Sequence, residues 1–187
     1  SICENDAGYD IVTCDSRQGA ALAGRYLREA GCRRAAFLGV ASDTRDGWDV
    51  NSRLRLEGFE AGWGKALPQN DLVRVPEYRC MCGVTVAARL INGNRPEAVF
   101  AASDDLAMGL CHGAVAHGVR LGTDLKLVGF DGQPPRYEGD PKLTTVAAPL
   151  ELMGRTAARM ALERAEDPNM PMRRVALGCS LRPGDTA

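Results

Sequence analysis

At 187 residues, with 45% hydrophobic and 25% charged side chains, the chain has the make-up of an ordinary globular domain with a sizeable core. A formal net charge of -1, from 23 basic against 24 acidic residues, gives no electrostatic footprint for a polyanion, which normally needs a basic face, so nucleic-acid binding by these residues themselves is not expected. No apolar run approaches the roughly 20 residues that span a bilayer, and no segment has the charged start, apolar core and cleavage site of a signal peptide.

Short apolar runs rich in β-branched residues alternate with longer amphipathic segments. Asp10 to Cys14 is strand-like, and Gln18 to Ala30 follows as a helix with Leu22, Ala23, Tyr26 and Leu27 on one face and Gly31 as its C-terminal cap. Ala35 to Val40 is the next strand. Asn51 to Ala66 is a helix bringing Leu54, Phe59 and Trp63 to one side. Leu72 to Val75 is a third strand, closed by Pro76, and Gly83 to Ile91 a helix stopped by Asn92 and Gly93. Ala98 to Ala102 is a fourth strand, after which Asp104 or Ser103 can cap a helix running to His117, with Gly118 at its end. Leu125 to Phe130 and Leu143 to Ala147 are further strands, Leu150 to Arg164 a final long helix, and Val175 to Leu181 a last strand. Strands separated by helices imply right-handed crossovers and a mostly parallel sheet, so the fold class is α/β.

Seven cysteines, at positions 3, 14, 32, 80, 82, 111 and 179, form an odd set without the spacing of a disulfide framework. Free thiols in a reducing cytosol fit them better.

An open parallel sheet places its ligand beyond the carboxyl ends of its strands. The residues there are Asp15, Ser16 and Gln18, then 42–51, then Glu77 and Tyr78, Ser103 and Asp104, and Asp131. Carboxylates, an arginine fork and an aromatic face suit a small polyhydroxylated or heterocyclic ligand. Each residue also has a plainer reading. Asp104 reads first as a helix cap and Tyr78 first as packing, Asp15 serves equally as a cap, and Arg55 fits a surface charge as well as a ligand contact. Asp131 is harder to set aside, because a carboxylate ending a buried apolar strand is costly without a partner.

Catalytic and metal patterns are thin. His112 and His117 are five apart on one helix, Cys80 and Cys82 flank a single residue, and no nucleophile elbow, Walker loop or dinucleotide fingerprint occurs. Asp104, Asp105 and Asp131 could hold a cation, the basis of an alternative reading as a metal-assisted hydrolase, but adjacent aspartates at a helix start diverge in direction. No cofactor or metal is expected.

The ordered set of motifs VTCDSRQGA (12–20), 27–31 with 35–39, RLRLEGF (53–59), SDDLAMG (103–109), VGFD (128–131), LTTV (143–146) and Met153 with Gly154 resembles the effector-binding core of the lactose-repressor (LacI) family of bacterial transcription regulators, which is similar to a type I periplasmic binding protein. The resemblance implies an α/β/α parallel-sheet lobe spanning residues 33–146, a remnant of the first lobe in 1–30, a helix returning to that lobe at 150–166, and a final strand and tail at 172–187. The rest of the first lobe and a helix-turn-helix headpiece would lie outside this sequence. The resemblance also implies effector contacts at Arg55, Asp131 and Ser103, an aromatic cover at Tyr78, and a polar contact at Gln18. The family usually shows Asn at the position of Ser103 and often an acid at that of Gln18, which leaves the ligand open.

The expected function is therefore a cytoplasmic ligand sensor and not an enzyme. Its partners would be a sugar, sugar phosphate or purine-like effector, operator DNA through the headpiece alone, and a second copy in a homodimer, with no membrane partner. A solute-binding protein for sugar uptake with the same fold is the alternative.

Overall fold

A computed structural model describes residues 9–92 and 95–187. Cys3, Gly93 and the opening of the 1–30 segment lie outside the described residues. In chain order the elements are β1 (Ile11–Cys14), α1 (Ser16–Glu29), β2 (Ala35–Val40), α2 (Val50–Trp63), a 3-10 turn (Gln69–Asp71), β3 (Leu72–Val75), α3 (Cys80–Ile91), β4 (Ala98–Ala101), α4 (Asp104–Ala116), β5 (Lys126–Asp131), β6 (Thr144–Ala147), α5 (Leu150–Glu166), β7 (Arg174–Leu177) and β8 (Ser180–Arg182).

The larger sheet has the order β3-β2-β4-β5-β6-β8. Its first five strands are parallel and β8 joins the edge antiparallel to β6. The central strands are apolar on both faces, as a sheet covered on both sides requires. Phe37, Phe100, Val128 and Phe130 point into one core with Leu27, Phe59 and Trp63 of α1 and α2. Leu38, Val99, Ala101 and Leu127 point into the other with Leu90, Leu106 and Leu110 of α3 and α4. The result is the expected three-layer α/β/α arrangement.

Each helix pair closes through glycines. A Cβ at Gly58 or Gly62 of α2 would run into the carbonyl oxygens of Arg17 or Ala21 on α1, and one at Gly83 or Gly109 would collide with the backbone of the partner helix in the α3/α4 pair. Only glycine lets these backbones touch.

A second, two-stranded sheet is made by β1 and β7 in parallel. It is anchored by Asp10, which pairs with Arg164 at 2.8 Å and Arg173 at 3.0 Å. The expected strand from Val175 to Leu181 is two strands here. β7 belongs to the small sheet and β8 to the large one, and the chain changes sheets at Gly178 and Cys179. Both polar atoms of the Gln18 side-chain amide hold the turn: its Oε1 accepts from Cys179 N at 2.8 Å and its Nε2 donates to Cys179 O at 3.3 Å. Residues up to 30 were expected to go with the first lobe; of those described, β1 pairs in the small sheet, whereas α1 lies on the large sheet against α2 and β6. Helix α1 begins at Ser16, capped by Asp15 accepting from Gln18 N at 2.9 Å, and α3 begins at Cys80, three residues before the expected start.

Candidate functional site

The direction in which the chain adds strands to the sheet reverses between β2 and β4. The connection from β2 to β3 runs through α2 on one face, and that from β4 to β5 through α4 on the other. Such a reversal opens a crevice beyond the strand ends, and Arg55 enters it from the second turn of α2.

Arg55 is 7% exposed. Its Nη1 donates to the carbonyl of Ala102, just past β4. Its Nη2 stands 3.4 Å from Asp131 Oδ1 at the end of β5, and its Cζ lies 3.8 Å from the centroid of the Phe130 ring. A guanidinium stacked on an aromatic face and facing a carboxylate is held in one plane. Its Nε is buried and makes no hydrogen bond to any described residue.

Asp131 has φ 125°, the one non-glycine residue with positive φ among those described. Holding an L-residue there costs on the order of 1–3 kcal/mol. That conformation turns the carboxylate from the strand toward Arg55. Burial raises the Asp131 carboxyl above its usual value, opposed by the Arg55 charge and by a hydrogen bond from the Asp104 backbone amide.

Ser103 takes the capping role that the sequence suggests first for Asp104. Ser103 is the cap of α4, its Oγ accepting from Leu106 N at 3.2 Å. Asp104 is not the cap. It turns back under the β5–β6 loop, where Oδ1 accepts from Thr145 Oγ1 at 2.6 Å and Oδ2 from Gln133 N at 2.7 Å. Burial pushes its carboxyl up to about 7, opposed chiefly by those two hydrogen bonds.

Tyr78 is half-buried, and its hydroxyl donates to Asp49 Oδ1 at 2.7 Å and lies 2.8 Å from Ser52 Oγ. Burial raises its pKa well above the usual value. Asp49 also caps α2 through Ser52 N at 2.9 Å, and Ser52 Oγ accepts from Val40 N at 2.8 Å. Asp49 and Ser52 are thus parts of the site wall that sequence reasoning did not single out; the Asp placed three residues before Ser was the available signal. Arg55 and Asp131 come together, and the Arg55 charge acts on Tyr78 as well. The amide of Gln18 is engaged with Cys179, and the hydroxyl of Ser103 with its own helix.

A forked cation and a carboxylate side by side in a half-buried crevice suit paired hydroxyl groups, each of which donates to the acid and accepts from the base. Among the described residues no group of three or more His, Cys, Asp or Glu could hold a metal ion, and no helix is long and apolar enough to cross a membrane.

Residues 25–187 match the family described as the periplasmic binding protein-like domain. Among curated relatives, the HTH-type transcriptional repressor PurR of Erwinia tasmaniensis is 33% identical over 161 residues, covering 83% of this chain and 45% of its own. A structure of a LacI-family transcriptional regulator from Sanguibacter keddieii is 31% identical with a TM-score of 0.85, covering 97% of this chain and 68% of that one. The transcriptional regulator CelR in complex with cellobiose is 25% identical with a TM-score of 0.80, covering 98% and 55%. The chain spans about half the length of the curated relatives it matches.

Proposed function

The chain belongs to the periplasmic binding protein-like family, as the effector-binding domain of a LacI-type transcriptional regulator, and from that premise we propose that it binds a sugar-like effector at the crevice around Arg55 and Asp131. The observation that carries this reading is the pairing of Arg55 with Asp131 at the topological switch point, 3.4 Å apart, with Nε of Arg55 making no hydrogen bond among the described residues. CelR, of the same fold, is known in complex with cellobiose, which favours a sugar over a purine-like effector. In this reading Tyr78, on which the Arg55 charge acts, supplies an aromatic edge, while Ser103 and Gln18 position the α4 start and the 178–179 turn.

In this reading the domain senses its effector in the cytoplasm and alters operator affinity by linkage, through a homodimer and a DNA-binding headpiece. The ligand can only shift the balance by its differential affinity for two arrangements of the β1–β7 sheet against the larger one. Arg55 and Asp131 should contact it better in one of them.

The test is a thermal-shift screen of the intact regulator against sugars, sugar phosphates and purines, since a ligand that binds only the native state raises its melting point. A sugar should raise it, and titration calorimetry should then show that Asp131→Ala weakens binding of that sugar. No response to any sugar, or undiminished binding in Asp131→Ala, overturns the assignment.

A further inference from the structure

Two cysteines lie on two of the three links that join the small sheet to the large one. Cys14 ends β1, immediately before the cap of α1, and Cys179 occupies the turn between β7 and β8; the third link is the 148–149 segment between β6 and α5. Parallel pairing brings the two together. Cys14 is opposite Leu177, Asp15 N donates to Leu177 O at 2.8 Å, and Cys179 Sγ donates to Asp15 O at 3.6 Å. Gln18 grips the backbone of Cys179 from the other side. A Cβ on Gly19 would stand only 2.9 Å from that of Cys179, so the glycine leaves the room this side chain occupies.

The two thiols are near enough for each to act on the other's ionisation. That contact pulls Cys14 down to about 6, helped by the Ser16 hydroxyl 3.9 Å away and the Arg55 charge, and opposed by burial and Asp131. The same contact, with burial, pushes Cys179 up. Cys14, which lines an open cavity, is thus placed to be the nucleophile, while Cys179, whose S–H is donated to Asp15 O, holds its proton. Cys14 also lines a cavity of about 200 Å³ with Thr13, Asp15, Arg17, Asn51 and Arg174, a route for a small oxidant. All six described cysteines are free.

We infer that Cys14 and Cys179 form a reversible disulfide, with a peroxide as oxidant, that ties two of the three inter-sheet links together. The Cys14 thiolate attacks one peroxide oxygen; the O–O bond breaks, and the departing hydroxide takes up a proton as water. Cys14 is left as a sulfenic acid. The Cys179 sulfur attacks the Cys14 sulfur, the S–O bond breaks, and the hydroxyl leaves with the Cys179 proton as a second water. Two thiols and one peroxide give one disulfide and two waters, with both sulfurs oxidised and both peroxide oxygens reduced. A dithiol reverses the bond. Regulatory disulfides of this transient kind are the type that reducing compartments permit. That the bond would bias effector binding rests on the effector reading above; the bond and its effect on the links do not.

The experiment treats the reduced intact regulator with a small excess of hydrogen peroxide, alkylates, digests and identifies peptides by mass spectrometry. A Cys14–Cys179 cross-linked peptide that dithiothreitol removes is expected. Amide hydrogen exchange over residues 12–16 and 176–181 should slow by about tenfold or more in the oxidised protein. In Cys179→Ala, Cys14 should stop at a dimedone-trappable sulfenic acid. Oxidation of Cys14 to sulfinic acid with Cys179 still a free thiol in the wild type overturns the inference, as does cross-linking of either residue to another cysteine, or a cross-link without slower exchange. None of these readouts uses an effector, so failure of the sugar screen and failure of the disulfide are told apart.

Discussion

The guanidinium of Arg55 meets the carboxylate of Asp131 at 3.4 Å while lying on the ring of Phe130, the residue that precedes Asp131 in β5. A single strand end thus supplies both the anion and the aromatic platform. Arg55→Lys keeps the charge but loses the planar fork and its stacking. It should weaken binding of the sugar found by thermal shift by about tenfold or more, measured by calorimetry. Arg55→Ala also leaves Asp131 without its cation, which should lower unfolding free energy by about 1–3 kcal/mol in urea, less than for a fully buried pair.

Asp131 carries backbone strain at φ 125°. Asp131→Gly and Asp131→Ala both delete the carboxylate, but only glycine adopts that conformation freely. Asp131→Gly should therefore be more stable than Asp131→Ala by about 1 kcal/mol, while both bind effector poorly. Equal urea midpoints for the two would show that the dihedral is not costly.

Asp104 titrates at about 7 because burial outweighs its hydrogen bonds from Thr145 and Gln133. Between roughly pH 4, where a free aspartate ionises, and pH 7 the native chain keeps a proton that the unfolded chain has released. The stabilisation from this group is full below about pH 4 and is lost as the pH rises through 7. Asp104→Asn, which is neutral at every pH but keeps only one of the two acceptor oxygens, should flatten the dependence of unfolding free energy on pH over that window. An unchanged slope would assign the titration elsewhere.

The glycine contacts between α1 and α2 predict a sharp contrast. Gly62→Ala forces a methyl group into the Ala21 carbonyl and should cost about 2–3 kcal/mol. Gly154, inside α5, has nothing within 4 Å of an added Cβ. Gly154→Ala should raise stability by up to about 1 kcal/mol through helix propensity alone. Thermal melts of the two variants would separate packing from propensity.

Much of this architecture is legible in the sequence because buried parallel strands are written as short, doubly apolar runs such as AAFLGV and AVFA, with amphipathic helices between them. The LacI resemblance reaches further and draws Arg55 and Asp131 from different helices and strands into one site. What stays hidden depends on direction more than on residue type. RVALGCSLR reads as one strand because its apolar rhythm barely breaks at Gly178, yet the chain there leaves one sheet for another. Ser103 and Asp104 are both good caps, and local sequence cannot say which one turns inward; the hydroxyl of Thr145, distant in sequence, decides it. The amide of Gln18 looks like a ligand group until the Cys179 peptide is found opposite it.

The glycine seam that lets α1 and α2 touch has a mechanical side. Two helices in backbone contact cannot slide or tilt independently, so they act as one lever about 20 Å long. Arg55 rides on one arm and Asp15, beside the first inter-sheet link, on the other. In the proposed binding mode, a small shift of the guanidinium against a bound hydroxyl would therefore be delivered to that link without a compliant joint in between.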